Sequence, residues 1–220
     1  PAPGFMDGVR QRADATGAVL IVDEVSAGFR LTTGGAHLTL DLAPDIAVFS
    51  KAMGNGYPIA AVIGIPSVMA AAERSFISST MWTERIGPVA ALATIRKFQK
   101  MSAAHHLIAI GREIQDGWRA IAARRGVPIE VGGIPPLGHF SFTHADAQAL
   151  KALFITRMLD HGFLASLSFY AMLAHTRIHV RAYLDAADAV FAELADAIHT
   201  GDVAARVCGK PAIAGFRRLT

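Results

Sequence analysis

The chain has 220 residues, 52% hydrophobic and 18% charged, with Lys plus Arg at 21 against Asp plus Glu at 18. This composition excludes disordered and collagen-like chains and suits one large or two small globular domains, and a chain of this length buries roughly 70% of its unfolded surface, so its core needs neither disulfide nor metal. The excess charge of +3 is spread along the chain, with no basic run longer than Arg124-Arg125 or Arg217-Arg218, which argues against a nucleic-acid partner.

Pro1 opens the chain, and no charged stretch followed by an apolar run comes after it, so no signal peptide is expected and the start reads as a cut through a longer protein. Phe5, Met6, Val9 and Ala13 recur at helical spacing up to Thr16, and Gly17 stands where a helix ends. The run Ala18 to Val22 is apolar on both faces and ends at Asp23-Glu24, which predicts a buried parallel strand. After a segment marked by Gly28, Gly34 and Gly35, a second run, Ile46 to Phe49, ends at Ser50-Lys51. Gly54, Gly56 and Pro58 make a turn, and Ile59 to Ile65 returns as an antiparallel neighbour. The most apolar stretch, Ile59 to Ala72, is interrupted by Pro66 and Ser67 and stays short of the roughly 18 to 20 residues of a membrane span.

Helical spacing resumes from Pro88 to Phe98 and continues with breaks to Arg124. Gly126-Val127-Pro128 and Gly132-Gly133 then change the texture, with strand-like pieces at Ile129 to Val131 and His139 to Thr143 and amphipathic helices at Ala147 to Leu159 and Arg181 to Ile198. Two domains are expected, residues 1–125 and 126–220, in an α/β class chain. The lone Cys208 forms no internal disulfide, and with no sign of an oxidising compartment a cytoplasmic protein is expected.

Open α/β sheets bind ligands at the carboxyl ends of their strands, which singles out Asp23 and Lys51. Lys97, Lys100, Lys151 and Lys210 lie in polar helical surroundings or in the tail, whereas Lys51 follows an apolar strand. A lysine buried there becomes a better amine nucleophile toward an aldehyde, and a carboxylate at the same edge can hold a protonated pyridine nitrogen. The alternative reading makes both ordinary strand-end residues or a structural ion pair.

Asp23-Glu24-Val25 with Gly28-Phe29-Arg30, then Phe49-Ser50-Lys51-Ala52-Met53-Gly54-Asn55-Gly56-Tyr57-Pro58, then Thr83 ahead of Pro88, resembles the class III aminotransferases, fold-type I pyridoxal-phosphate enzymes. The Gly-Phe-Arg ending is closest to their glutamate-1-semialdehyde aminomutase-like branch. The resemblance implies a C-terminal half: part of the large cofactor-binding domain, 1–125, with the Schiff-base lysine, and the small α+β domain, 126–220. It implies that Asp23 pairs with the pyridine nitrogen, Val25 packs on the ring and Lys51 carries the cofactor and shuttles the substrate proton. Thr83 would reach the cofactor phosphate of a neighbouring subunit, making the active site a homodimer property, with an amino donor and a keto or aldehyde acceptor as substrates. Ser26 stands where many ω-transaminases place a glutamine near the cofactor's phenolic oxygen, and Thr80 competes with Thr83. The helix N-terminus that cradles the phosphate in that family lies upstream of the first residue, so a non-catalytic fragment or subunit is the rival expectation.

Other signals are weaker. Gly54-x-Gly56 lacks the third glycine of a dinucleotide fingerprint. His175 and His179 have zinc-ligand spacing without a third ligand, so no metal is expected. Arg30, Glu84 and Arg85 read as structural ion pairs ahead of a substrate clamp, and Cys208 has no activating base.

Overall fold

The computed structural model describes residues 2–207 and Gly209; Pro1, Cys208 and Lys210, and with them the expectations attached to each, lie outside the described residues. The described chain divides into two compact units, residues 1–106 and 107–220.

In the first unit, α1 (Phe5–Thr16) ends at Gly17, whose left-handed backbone lets its N–H reach the Ala13 and Asp14 carbonyls. Three strands follow: β1 (Ile21–Asp23), β2 (Ile46–Phe49) and β3 (Ala61–Gly64). The sheet has the order β1-β2-β3, with β1 parallel to β2 and β3 antiparallel to it. Central β2 carries the core: Ala47 and Phe49 pack with Met53 and Ala91 against Phe29, Ile59 and Ala61. Ala91 belongs to α3 (Ile86–Lys100), which follows the short α2 (Pro66–Met69) and an exposed loop.

β1 departs from the buried strand expected of it. It is parallel, but Val19 ahead of it and Ile21 within it are exposed. The reason is its position: β2 is its sole partner among the described residues, so one edge of an apolar strand is left open. Asp45 fixes its start, accepting from the Leu20 N–H at 2.6 Å and from Arg10 at 3.1 Å. The Leu20 N–H, followed by Arg10, holds the Asp45 carboxyl below the usual range.

The second unit is built on a three-stranded antiparallel sheet of β4 (Ile129–Gly132), β5 (Leu137–Phe142) and β6 (Ser168–Tyr170). Helices α5 (Ala147–Asp160) and α6 (Arg177–Thr200) pack with it, and α4 (Ala103–Arg125) spans the division between the units. Phe140 meets Trp118, Phe142 and Phe154 edge to face, forming a dry aromatic core in which Trp118, Phe140, Phe154 and Phe191 are fully buried. Burial pushes the Tyr183 hydroxyl up to about 12 even though Trp118 Nε1–H donates to it. No helix among the described residues is long and apolar enough to cross a membrane.

Arg125, then Arg124, hold Asp188 of α6 down at about 2 against an ordinary 3.8. A carboxylate with a depressed folded value stabilises the fold fully above its unfolded value and loses that contribution as pH falls through the folded one. Exposure of the two arginines limits the contribution to about 1 kcal/mol. Asp188→Asn should therefore lower the urea midpoint at pH 6 and lower it much less near pH 2; an equal loss at both would disprove the pairing.

Candidate active site

Parallel pairing brings two chain exits to one sheet edge. Asp23, the last residue of β1, pairs with Val48, and Lys51 follows β2 directly after Ser50. Asp23 Oδ1 accepts from the Val25 N–H at 2.9 Å, a local bond that turns the chain out of the strand. Asp23 Oδ2 makes no hydrogen bond among the described residues.

Lys51 has φ of 37°, in the left-handed region that non-glycine residues seldom adopt. Its carbonyl accepts from the Asn55 N–H at 2.9 Å, and Ser50 Oγ donates to the Ile59 carbonyl at 2.8 Å, so the reversal into β3 is tied at both ends. Lys51 Nζ donates to Ser26 Oγ at 2.5 Å, which joins the end of β2 to the turn that follows β1. The turn is itself bonded, with the Gly28 N–H on the Glu24 carbonyl at 2.8 Å and Arg30 Nε–H on the Ser26 carbonyl at 2.8 Å.

The structure thus brings Asp23, Val25, Ser26 and Lys51 to one edge. Asp23 and Lys51 form no ion pair among the described residues, and Lys51 is exposed, so the desolvation expected to activate it is absent from these surroundings. The reason is again the edge position: among the described residues of the first unit, β2 is the sole partner of β1.

Thr83 and Thr80 lie in the exposed turn ahead of α3, and among the described residues no hydrogen bond ties either to the β1–β2 edge. Glu84 accepts the Ile86 N–H at 2.8 Å and so serves the start of α3. His179 caps the start of α6, its Nδ1 accepting from the Thr176 N–H, and His175 Nδ1 accepts from the Met172 N–H in the turn before it, each at 3.1 Å. Among the described residues no group of three or more His, Cys, Asp or Glu could hold a metal ion.

Two residues escaped the sequence reading. Glu24 is buried beneath the edge, and His37 meets it there. Strand alternation was the available signal, since the residue after an outward Asp23 must point inward.

Comparison with known proteins gives the site its context. The aminotransferase class-III family model matches residues 1–199. The 3-aminobutyryl-CoA aminotransferase of Cloacimonas acidaminovorans is 33% identical over 74% of this chain and 40% of its own length. The glutamate-1-semialdehyde 2,1-aminomutase of Desulfosudis oleivorans is 31% identical over 88% of this chain and 49% of its own. The pyridoxal-phosphate internal aldimine form of the FumI protein from Sphingopyxis sp. MTA144 superposes with a TM-score of 0.81 at 27% identity, over 89% of this chain and 48% of that one. The chain spans about half the length of the relatives it matches.

The turn that carries Val25 and Ser26 leaves no space at its end. A Cβ on Gly28 would stand 2.8 Å from both the Glu24 carbonyl and the Phe49 ring. Gly28→Ala should therefore cost about 1–3 kcal/mol by urea unfolding, the usual range for overpacking; an unchanged midpoint would show that the turn yields freely.

Proposed function

The chain belongs to the class III aminotransferase family and has the fold of the fold-type I transaminases, and from that premise we propose that its sheet edge is the lysine-bearing half of a pyridoxal-phosphate site for transamination or aminomutase chemistry. The substrate classes are an amino acid or primary amine and a keto or aldehyde acceptor. One observation carries the reading: Lys51 Nζ is held by Ser26 at the same carboxyl edge that presents Asp23.

The residues fit the group's two reactive ends. Asp23 keeps an oxygen unengaged beside the one bonded to Val25, suited to accept the N–H of a protonated pyridine ring. Lys51 supplies the one primary amine at this edge among the described residues, suited to an aldehyde. When bound, pyridoxal phosphate supplies an electron sink for a substrate carbanion. Asp23 would hold the proton of the ring nitrogen and Val25 would support the ring, while Ser26 Oγ orients Nζ. Lys51 Nζ would take the proton from the substrate α-carbon and return it at the accepting position.

Thr83, with Thr80 as the alternative, is assigned to the phosphate of a neighbouring subunit, which makes a cytoplasmic homodimer part of the proposal. Residues 1–125 are assigned to the cofactor-binding domain and 126–220 to the small domain. The second reading, a subunit inactive without another polypeptide, is favoured by one specific feature: β1 leaves an open edge with Val19 and Ile21 exposed.

Incubation of the 220-residue chain with pyridoxal phosphate, borohydride reduction and peptide mapping separates the two. Selective modification of Lys51, lost in Lys51→Ala and weakened in Asp23→Asn, is the expected outcome. Modification spread over all the lysines, or none, would favour the second reading.

A further inference from the structure

Glu24 is the most deeply buried charged residue among those described, 1% exposed and directly beside Asp23. Its Oε1 accepts from the His37 backbone N–H at 2.9 Å and lies 2.8 Å from His37 Nδ1. With Oε1 already accepting one bond, a proton on Nδ1 completes the contact as a second donation to the same oxygen. Oε2 is buried and has no hydrogen-bond partner. A carboxylate so placed is disfavoured relative to an apolar side chain, so packing alone does not account for it.

The surroundings show what the pair closes. The Phe29 N–H donates to the Gly34 carbonyl at 2.7 Å, so residues 24–37 form a hook folded back on itself. A Cβ on Gly35 would collide with the His37 ring and stand 2.7 Å from Glu24 Oε1, so the two arms meet without spare room. Phe49, at the end of β2, packs on both arms, with ring centroids 5.7 Å from Phe29 and 6.5 Å from His37. On the outer side of this hook sits Ser26, whose Oγ holds Lys51 Nζ.

The geometry points to Glu24 and His37 as positioning residues for Lys51: a buried carboxylate–imidazole clasp that closes the 24–37 hook against the end of β2 and so places Ser26 Oγ at Lys51 Nζ. The inference rests on the reading of Lys51 as the cofactor-binding amine. Neither residue touches the amine; both act through Ser26.

The test uses the 220-residue chain and two readouts, hydrogen exchange over residues 24–37 and the selective modification of Lys51 by pyridoxal phosphate and borohydride. His37→Leu fills the space without a side-chain donor and should speed exchange in the hook and reduce Lys51 modification, each by about tenfold, the scale of one hydrogen bond to a charged group. Exchange in α6 should not change. His37→Asn, whose side-chain N–H stands in for Nδ1–H, should recover most of both. An unchanged hook in His37→Leu, or His37→Asn as impaired as His37→Leu, would overturn the clasp. Long-range proton–nitrogen spectra of the unsubstituted chain give a check that needs no variant: Nδ1 of His37 should carry a proton, and an unprotonated Nδ1 overturns the inference. Failure of the unsubstituted chain to label at Lys51 would instead defeat the functional reading, with exchange and the Nδ1 proton still deciding the clasp.

Discussion

The parallel register of β1 on β2 is the constraint from which the site follows. Strands that run the same way leave the sheet on the same side, so Asp23 and Lys51 meet at one edge although a long excursion separates them in the chain. Antiparallel β3 starts at that edge, where the Ile59 carbonyl accepts from Ser50 Oγ, and carries the chain back. The register is held at both ends of the pair. Asp45 accepts the Leu20 N–H just before β1, and the Glu24 N–H donates to the Val48 carbonyl at 2.8 Å just after it. A slip by one residue would exchange the faces of Asp23 and Glu24, putting the exposed carboxylate underneath and the buried one outside.

Those adjacent carboxylates show how position divides chemistry between identical groups. Asp23 spends one oxygen on a local turn and stays open to solvent, whereas Glu24 spends one oxygen on both His37 donors and is closed off entirely. Glycines make the difference possible, since Gly28 and Gly35 admit backbone approaches that a methyl group would block. In the second unit Trp118, Phe140, Phe154 and Phe191 pack as an aromatic core, and Arg124 and Arg125 pair with Asp188 outside it.

Periodicity made most of the elements legible. The helix expected from Phe5 to Thr16 has those bounds, the run Ile46 to Phe49 is β2, and the antiparallel return lies within Ile59 to Ile65 as Ala61–Gly64. The three-residue β6 went unread because Ser168–Tyr170 is too short to show alternation. The expected change of texture near residue 125 falls at the end of α4, while the compact units divide near its start. β1 illustrates a different limit. Its apolar run reported what the strand can bury, not what lies against it, and burial depends on neighbours that a strand's own pattern does not name. Lys51 shares that limit, for its exposure is a property of the uncovered edge. Glu24 and His37 were hidden for the converse reason: alternation after Asp23 turns Glu24 inward, but no pattern in either segment names the partner that the loop brings to it.

Placement and desolvation of the lysine are therefore separable properties. Placement is local: Ser26 Oγ, the left-handed backbone at Lys51 and the bonded hook of residues 24–37 all lie within the first unit and depend on contacts among its own residues. Desolvation is not local, because it requires a layer over the carboxyl edge, and the open side of β1 shows that these residues supply none. The division predicts how such a site is assembled. The contacts that aim Nζ form with the sheet itself, so the selectivity for Lys51 over the other lysines belongs to this chain, and a layer over the edge adds desolvation to an amine already placed.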